Sequence, residues 1–196
     1  MSIEMELDKL LKIKTSGRDD SKSNFVNYPY EATPYSVLQA LSNSGYIAKS
    51  DKLIDFGCGK GRVGFYLAFY NKCKVIGVEY DPRLYNSAIE NHKRAVSSGR
   101  VEFINANASD YIIEDDVTCV YFFNPFSIQV LKDVIKNLRS SLERNYREIK
   151  LFFYYPSDEY LDLLSNIGTI RHIEDIDLKY LFKNNDRREK LAIYEL

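Results

Sequence analysis

The sequence predicts a doubly wound α/β fold, a mostly parallel sheet of seven strands with an antiparallel hairpin at one edge. Three observations carry that prediction. The apolar run Leu53-Ile54-Asp55-Phe56 ends in Gly57-Cys58-Gly59-Lys60-Gly61-Arg62, a helix-like stretch follows, and a second apolar run, Val75-Ile76-Gly77-Val78-Glu79, ends in an acid. That order is strand, glycine-rich turn, helix and strand, the way open α/β sheets bind an adenosine-type nucleoside. Downstream, strand-like and helix-like patterns alternate. Residues 117–123 and 149–154 are apolar almost throughout, as strands covered on both faces must be.

Each element has its own signal. Residues 1–13 read as a short amphipathic helix with Met5, Leu7, Leu10 and Leu11 as its apolar set. Residues 14–24 are polar and read as a loop, and 25–33 are aromatic and irregular. Thr33 is a candidate N-cap with Pro34 at the first helical position. The helix they open runs through Tyr35, Val37, Leu38 and Leu41 and stops near Gly45. Strands are predicted at 52–56, 73–79, 101–105, 117–123 and 148–154. Helices are predicted at 62–70, 83–96, 128–142 and 158–164. The last two strands, 169–173 and 190–196, follow once the longer helices have run out and suggest the antiparallel pair, with 184–188 as its turn. The expected organisation is an N-terminal helix and lid segment over 1–33 and one ligand-binding domain over 34–196.

Composition narrows the function. At 196 residues the chain is one domain, with 45% hydrophobic and 28% charged residues, as in globular proteins. A net charge of −1 supplies no overall field for nucleic acid or membrane. No stretch nears the roughly 18 apolar residues of a membrane span. The start carries no signal-peptide pattern, so a cytoplasmic location is expected. Cys58, Cys73 and Cys119 match no zinc spacing and read as reduced thiols. His92 and His172 are too few for a His-rich metal centre, and no metal is expected.

Ligands in such sheets bind beyond the carboxyl ends of the strands. Glycines at 57, 59 and 61 let the turn approach a ligand closely. The helix behind them offers free N–H groups to a carboxylate or phosphate. Glu79 is placed to accept hydrogen bonds from both hydroxyls of a ribose. These residues resemble the class I S-adenosylmethionine-dependent methyltransferases, with closest likeness to small bacterial members that carry a Phe-Asn-Pro-Phe element. Asp55-x-Gly57-x-Gly59-x-Gly61, including Cys58, is similar to their first motif, and Glu79 to their ribose-binding acid. Val101-x-Phe103 leading to Asn107-Ala108 resembles the strand and loop that meet the adenine, with Asn at 107 where the family usually has Asp. Asn124-Pro125-Phe126 resembles the Asn/Asp-Pro-Pro-Tyr/Phe element of nitrogen-methylating members, with the second proline absent. Thr33-Pro34 resembles an element near the methionine in some DNA-modifying members.

The resemblance implies S-adenosyl-L-methionine as cofactor and methyl transfer to an acceptor, a nitrogen of a protein side chain or small molecule. Asn124 would accept a hydrogen bond from the acceptor N–H, the Pro125 carbonyl a second, and Phe126 would wall the substrate. Asn-Pro is also an ordinary strand-exit turn. A nucleic-acid acceptor is less favoured, since no recognition insert or basic stripe is evident. Two alternatives stay open: a non-catalytic cofactor-binding or interaction subunit of the same fold, and a NAD(P)-dependent enzyme, because Gly59-Lys60-Gly61-Arg62-Val63-Gly64 also satisfies G-x-G-x-x-G. The Asp two residues before the first glycine, the helix before the first strand and the short chain favour the methyltransferase. Tyr30 and Tyr35 flank Glu31-Ala32-Thr33-Pro34, a segment placed to close over the cofactor.

Overall fold

The computed structural model describes residues 2–17, 30–183 and 185–196. Seven strands form one sheet: β1 (Lys52–Phe56), β2 (Lys74–Glu79), β3 (Val101–Asn105), β4 (Cys119–Phe122), β5 (Lys150–Tyr154), β6 (Arg171–Asp177) and β7 (Lys190–Glu195). Their order is β3-β2-β1-β4-β5-β7-β6. The first five are parallel, and β7 runs antiparallel to both β5 and β6. The predicted edge pair is therefore present. The chain winds outward from β1 through β2 to β3, then returns to start β4 on the other side of β1. That reversal leaves a crevice above the carboxyl ends of β1 and β4.

Among the described residues six helices flank the sheet: α1 (Ile3–Leu11), α2 (Tyr35–Asn43), α3 (Arg62–Tyr70), α4 (Pro82–His92), α5 (Ile128–Arg144) and α6 (Asp158–Ser165). Alternation along each strand splits the core in two. Leu53, Val75, Tyr121, Phe152 and Tyr154 pack with α2 and α3 on one face, joined by Leu11 and Ile13 from the N-terminal segment. Ile54, Phe56, Val120, Phe122 and Phe153 pack on the other face with Leu131, Val134, Ile135 and Leu138 of α5. Those four α5 side chains are all at most 3% exposed. Burying each contributes about 1.5–3 kcal/mol. Their i, i+3, i+4, i+7 spacing is what made the helix readable.

Several boundaries differ from expectation. Pro34, not Thr33, is the N-cap of α2. The Thr33 hydroxyl is drawn instead to the Tyr121 hydroxyl, 3.1 Å away. The helix predicted from 83 to 96 begins one residue earlier because Asp81 caps the Arg83 N–H at 2.9 Å with Pro82 at the first position, and it stops at His92. The strand predicted at 169–173 spans Arg171–Asp177 instead, because pairing with β7 carries it on. The loop expected at 14–24 and the aromatic stretch at 25–33 lie largely outside the described residues. No helix among the described residues is long and apolar enough to cross a membrane. The three cysteines are free and buried.

Candidate active site

The crevice between β1 and β4 opens as a cavity of about 820 Å³. That size suits a nucleoside-sized ligand. The glycine turn closes one side. The Gly57 and Cys58 N–H groups both donate to the Val78 carbonyl, at 2.8 and 3.2 Å, which pins the turn to the end of β2. Gly57 has φ +73°, and a Cβ there would stand 2.6 Å from Pro125 Cβ, so the turn and the exit of β4 touch only because residue 57 has no side chain. Gly59 and Gly61 do not line the cavity. Gly59 lies under the Tyr30 ring, and Gly61 (φ +88°) packs on Phe103 as the N-cap of α3. Their part is to shape the turn.

Glu79, at the end of β2, is 8% exposed. Its Oε2 accepts from the Gly59 N–H and its Oε1 from the Asp81 N–H, each at 2.8 Å. Each oxygen keeps a second lone-pair site for a ligand hydroxyl. Burial, opposed by these backbone hydrogen bonds, leaves its pKa raised. Asp55 is 2% exposed, and its Oδ2 has no hydrogen-bond partner among the described residues. Burial, with the Glu79 charge second, pushes its pKa up to about 8. An orphaned carboxylate oxygen beside a cavity is a position that a cationic donor would satisfy. The Cys58 thiol lines the cavity too, and burial holds its pKa well above the ordinary value, so it stays protonated.

The second side of the cavity comes from the end of β4. Asn124 adopts φ +41°, a left-handed conformation uncommon outside glycine. Its Oδ1 is buried without a hydrogen-bond partner among the described residues. Pro125 and Phe126 follow it into the cavity wall, and the Phe126 carbonyl is anchored by the Tyr160 hydroxyl at 2.5 Å. Asn107 and Ala108 line the end beyond β3, where Asn107 Oδ1 caps the Ser109 N–H at 3.3 Å. Thr33 lines the cavity and is 3% exposed.

Three further residues belong to this wall, of which Asn105 was expected as a strand-end position and Tyr121 and Arg62 were not singled out from the sequence. Tyr121 sits opposite Asp55 in the β1–β4 register, with its hydroxyl on Thr33. Asn105 Nδ2 donates to the Glu79 carbonyl at 2.8 Å, holding the acid's backbone. Arg62, 4% exposed, gathers the N-terminal segment. Its Nε donates to Thr15 Oγ1 at 2.7 Å and its Nη1 to the Thr33 carbonyl at 3.1 Å, while Glu4 pairs with it and Asp8 lies 3.6 Å away. Only the Asp55–Tyr121 register was readable in principle, from the alternation of β1 and β4.

Residues 53–145 match the model of a methyltransferase domain. A protein-lysine N-methyltransferase from Saccharolobus islandicus is 25% identical over 120 residues, 61% of this chain and 70% of that protein. The ribosomal protein L11 methyltransferase of an Enterobacter species is 28% identical over 121 residues, 58% of this chain and 41% of that protein. Among solved structures, an RNA methyltransferase from Salinibacter ruber in complex with S-adenosyl-L-homocysteine superposes on 84% of this chain and 92% of its own, with TM-score 0.56 and 21% identity. That last likeness is one of fold. With its strand order, its glycine turn and its methyltransferase domain, the chain is an S-adenosylmethionine-dependent methyltransferase of the class I fold.

Proposed function

We propose that the acceptor is a nitrogen of a protein side chain or small molecule, aligned by Asn124, Pro125 and Phe126. The observation that carries this reading is the buried Asn124 Oδ1, at a left-handed position beside the glycine turn and without a hydrogen-bond partner among the described residues. An amide oxygen held there accepts an N–H and turns the nitrogen lone pair toward the cofactor. The Pro125 carbonyl accepts a second N–H, and Phe126 walls the acceptor. Such a site works by alignment and exclusion of water, because the electrophile is already activated.

The residues present fit the cofactor. Glu79 would take the ribose hydroxyls, Asn107 and Ala108 would meet the adenine, and Asp55, whose Oδ2 has no partner among the described residues, would take the α-ammonium. The turn of Gly57, Cys58, Gly59 and Gly61 presents the start of α3 to the carboxylate, and Thr33 closes the methionine end. When bound, the cofactor supplies a methyl group activated on a sulfonium. The lysine-methylating relative supports a nitrogen acceptor on a protein.

Transfer of tritiated methyl to the acceptor tests the atom. N-methyl label withstands mild base, whereas a methyl ester releases volatile methanol. Base-stable label that chromatographs as a methylamine after hydrolysis is expected, and label in methanol or on carbon would overturn the nitrogen reading.

A further inference from the structure

A buried carboxylate, Glu189, stands behind the cavity wall, two side chains removed from it, and methyl transfer does not use it. Tyr121, Phe123 and Tyr154 face the same side of the sheet as Asp55. Phe123 lines the cavity immediately before Asn124, and its ring centroid lies 4.6 Å from that of Tyr154. The Tyr154 hydroxyl donates to Glu189 Oε2 at 2.8 Å. Glu189 is 6% exposed. Among the described residues, that hydroxyl is the only side-chain partner of its carboxylate, and Glu189 forms no ion pair. A carboxylate so far from water is expensive without a cation. Glu31 lines the same cavity, and its charge, like that of Glu189, acts on the Tyr154 hydroxyl.

Among the described residues, the arginines that line the cavity are Arg62 and Arg83, and each is matched by acids. Arg83 pairs with Asp81 at 2.6 Å, and Arg62 with Glu4 and, at 3.6 Å, with Asp8. A phosphate chain would meet neutralised cations at the rim and carboxylates within. A protonated amine would meet the reverse, with the aromatic faces of Phe123 and Phe126 to hold it.

We propose that the acceptor is an alkylammonium, a lysine ε-amino group or an amine of a polyamine, and that Glu189, acting through Tyr154 and its field, sets that specificity. The proposal rests on the reading of Asn124 as the group that aligns the acceptor nitrogen. The amine enters as R–NH3+ and loses one proton to water at the mouth. The freed lone pair forms the N–CH3 bond as the S–CH3 bond breaks. The sulfonium becomes a neutral thioether, and the positive charge leaves on R–NH2CH3+.

The test uses the full chain with labelled S-adenosylmethionine and three probes: a lysine-rich peptide, spermidine and tRNA. Methylation of peptide or spermidine, but not tRNA, is expected, and which of the two reacts identifies the source. Glu189→Gln keeps an acceptor for Tyr154 and removes the charge. It should raise KM for the amine about tenfold, with kcat falling less than threefold and affinity for S-adenosylhomocysteine unchanged. Should that variant not fold, Glu31→Gln carries the same split in weaker form. An unchanged KM in a folded variant, methylation of tRNA alone, or methylation of none of the three would overturn the proposal. Turnover that survives Asn124→Ala would instead remove the reading beneath it.

Discussion

Asp55 and Glu79 are two buried carboxylates, and their environments set opposite tasks. Glu79 is satisfied by backbone N–H groups and keeps lone pairs for hydroxyls. Removing it in Glu79→Ala should weaken S-adenosylhomocysteine binding by about 1.5–3 kcal/mol, the scale of a hydrogen bond to a charged group. A calorimetric titration measures this. Asp55 holds its proton up to about pH 8, through burial first and the Glu79 charge second. An unfolded Asp titrates near pH ~3.9. Between those values the folded chain keeps a proton that the unfolded chain has lost. The stability this group contributes is therefore complete below about pH 4 and is lost as pH rises toward 8. Urea unfolding of Asp55→Asn against the parent between pH 5 and 8 should show the difference narrowing toward the acid end. The same carboxylate should ionise when it meets the α-ammonium, so binding near pH 7 should release a proton. Titrations in buffers of different ionisation enthalpy will read that release, and Asp55→Asn should remove it.

At the scale of elements, α1 is tied to the site through Arg62. Arg62 begins α3 directly after the glycine turn, yet its partners are Glu4 and Asp8 of α1, Thr15, and the Thr33 carbonyl. Glu4 also accepts the N–H of Tyr35, the first residue of α2, at 3.0 Å. Asp8 accepts from the Tyr35 hydroxyl at 2.5 Å. Burial raises the pKa of Asp8, but hydrogen bonds from Thr15 and Tyr35 and the Arg62 charge outweigh it and hold the carboxyl below its usual range. Arg62→Ala leaves the buried Asp8 carboxylate without its cation, removes the partner of the partly exposed Glu4, and should cost about 3–5 kcal/mol in urea unfolding. Because Thr33 loses its anchor as well, the folded fraction should bind S-adenosylhomocysteine more weakly. None of this clasp was legible in the sequence. Glu4 and Arg62 are 58 positions apart, and no local pattern pairs one of many surface-type acids with one arginine. Residues 52–79 were legible because their signals are local: apolar runs, glycines that admit no side chain, and an acid at a strand end.

For the molecule as a whole, alternation of strand and helix patterns was enough to expect a parallel sheet with an antiparallel edge, and the order β3-β2-β1-β4-β5-β7-β6 follows it. The cavity's position came from the same reasoning, since the connections leaving β1 and β4 pass to opposite faces of the sheet at that reversal. Its walls did not. Thr33 read as a helix cap, yet its hydroxyl meets Tyr121 across 88 positions. Tyr30 covers Gly59 although a long stretch of chain separates them. Such contacts depend on how the faces stack, and one sequence records that only after folding. In the proposed reading, this cavity aligns an acceptor nitrogen through Asn124 while other residues hold the cofactor. Asn124→Ala tests it most directly, with turnover and S-adenosylhomocysteine affinity measured on the same preparation. Turnover should fall at least a hundredfold, about 2.7 kcal/mol or more in the barrier, with affinity within twofold of the parent. Equal loss of both, or turnover unchanged, would contradict it.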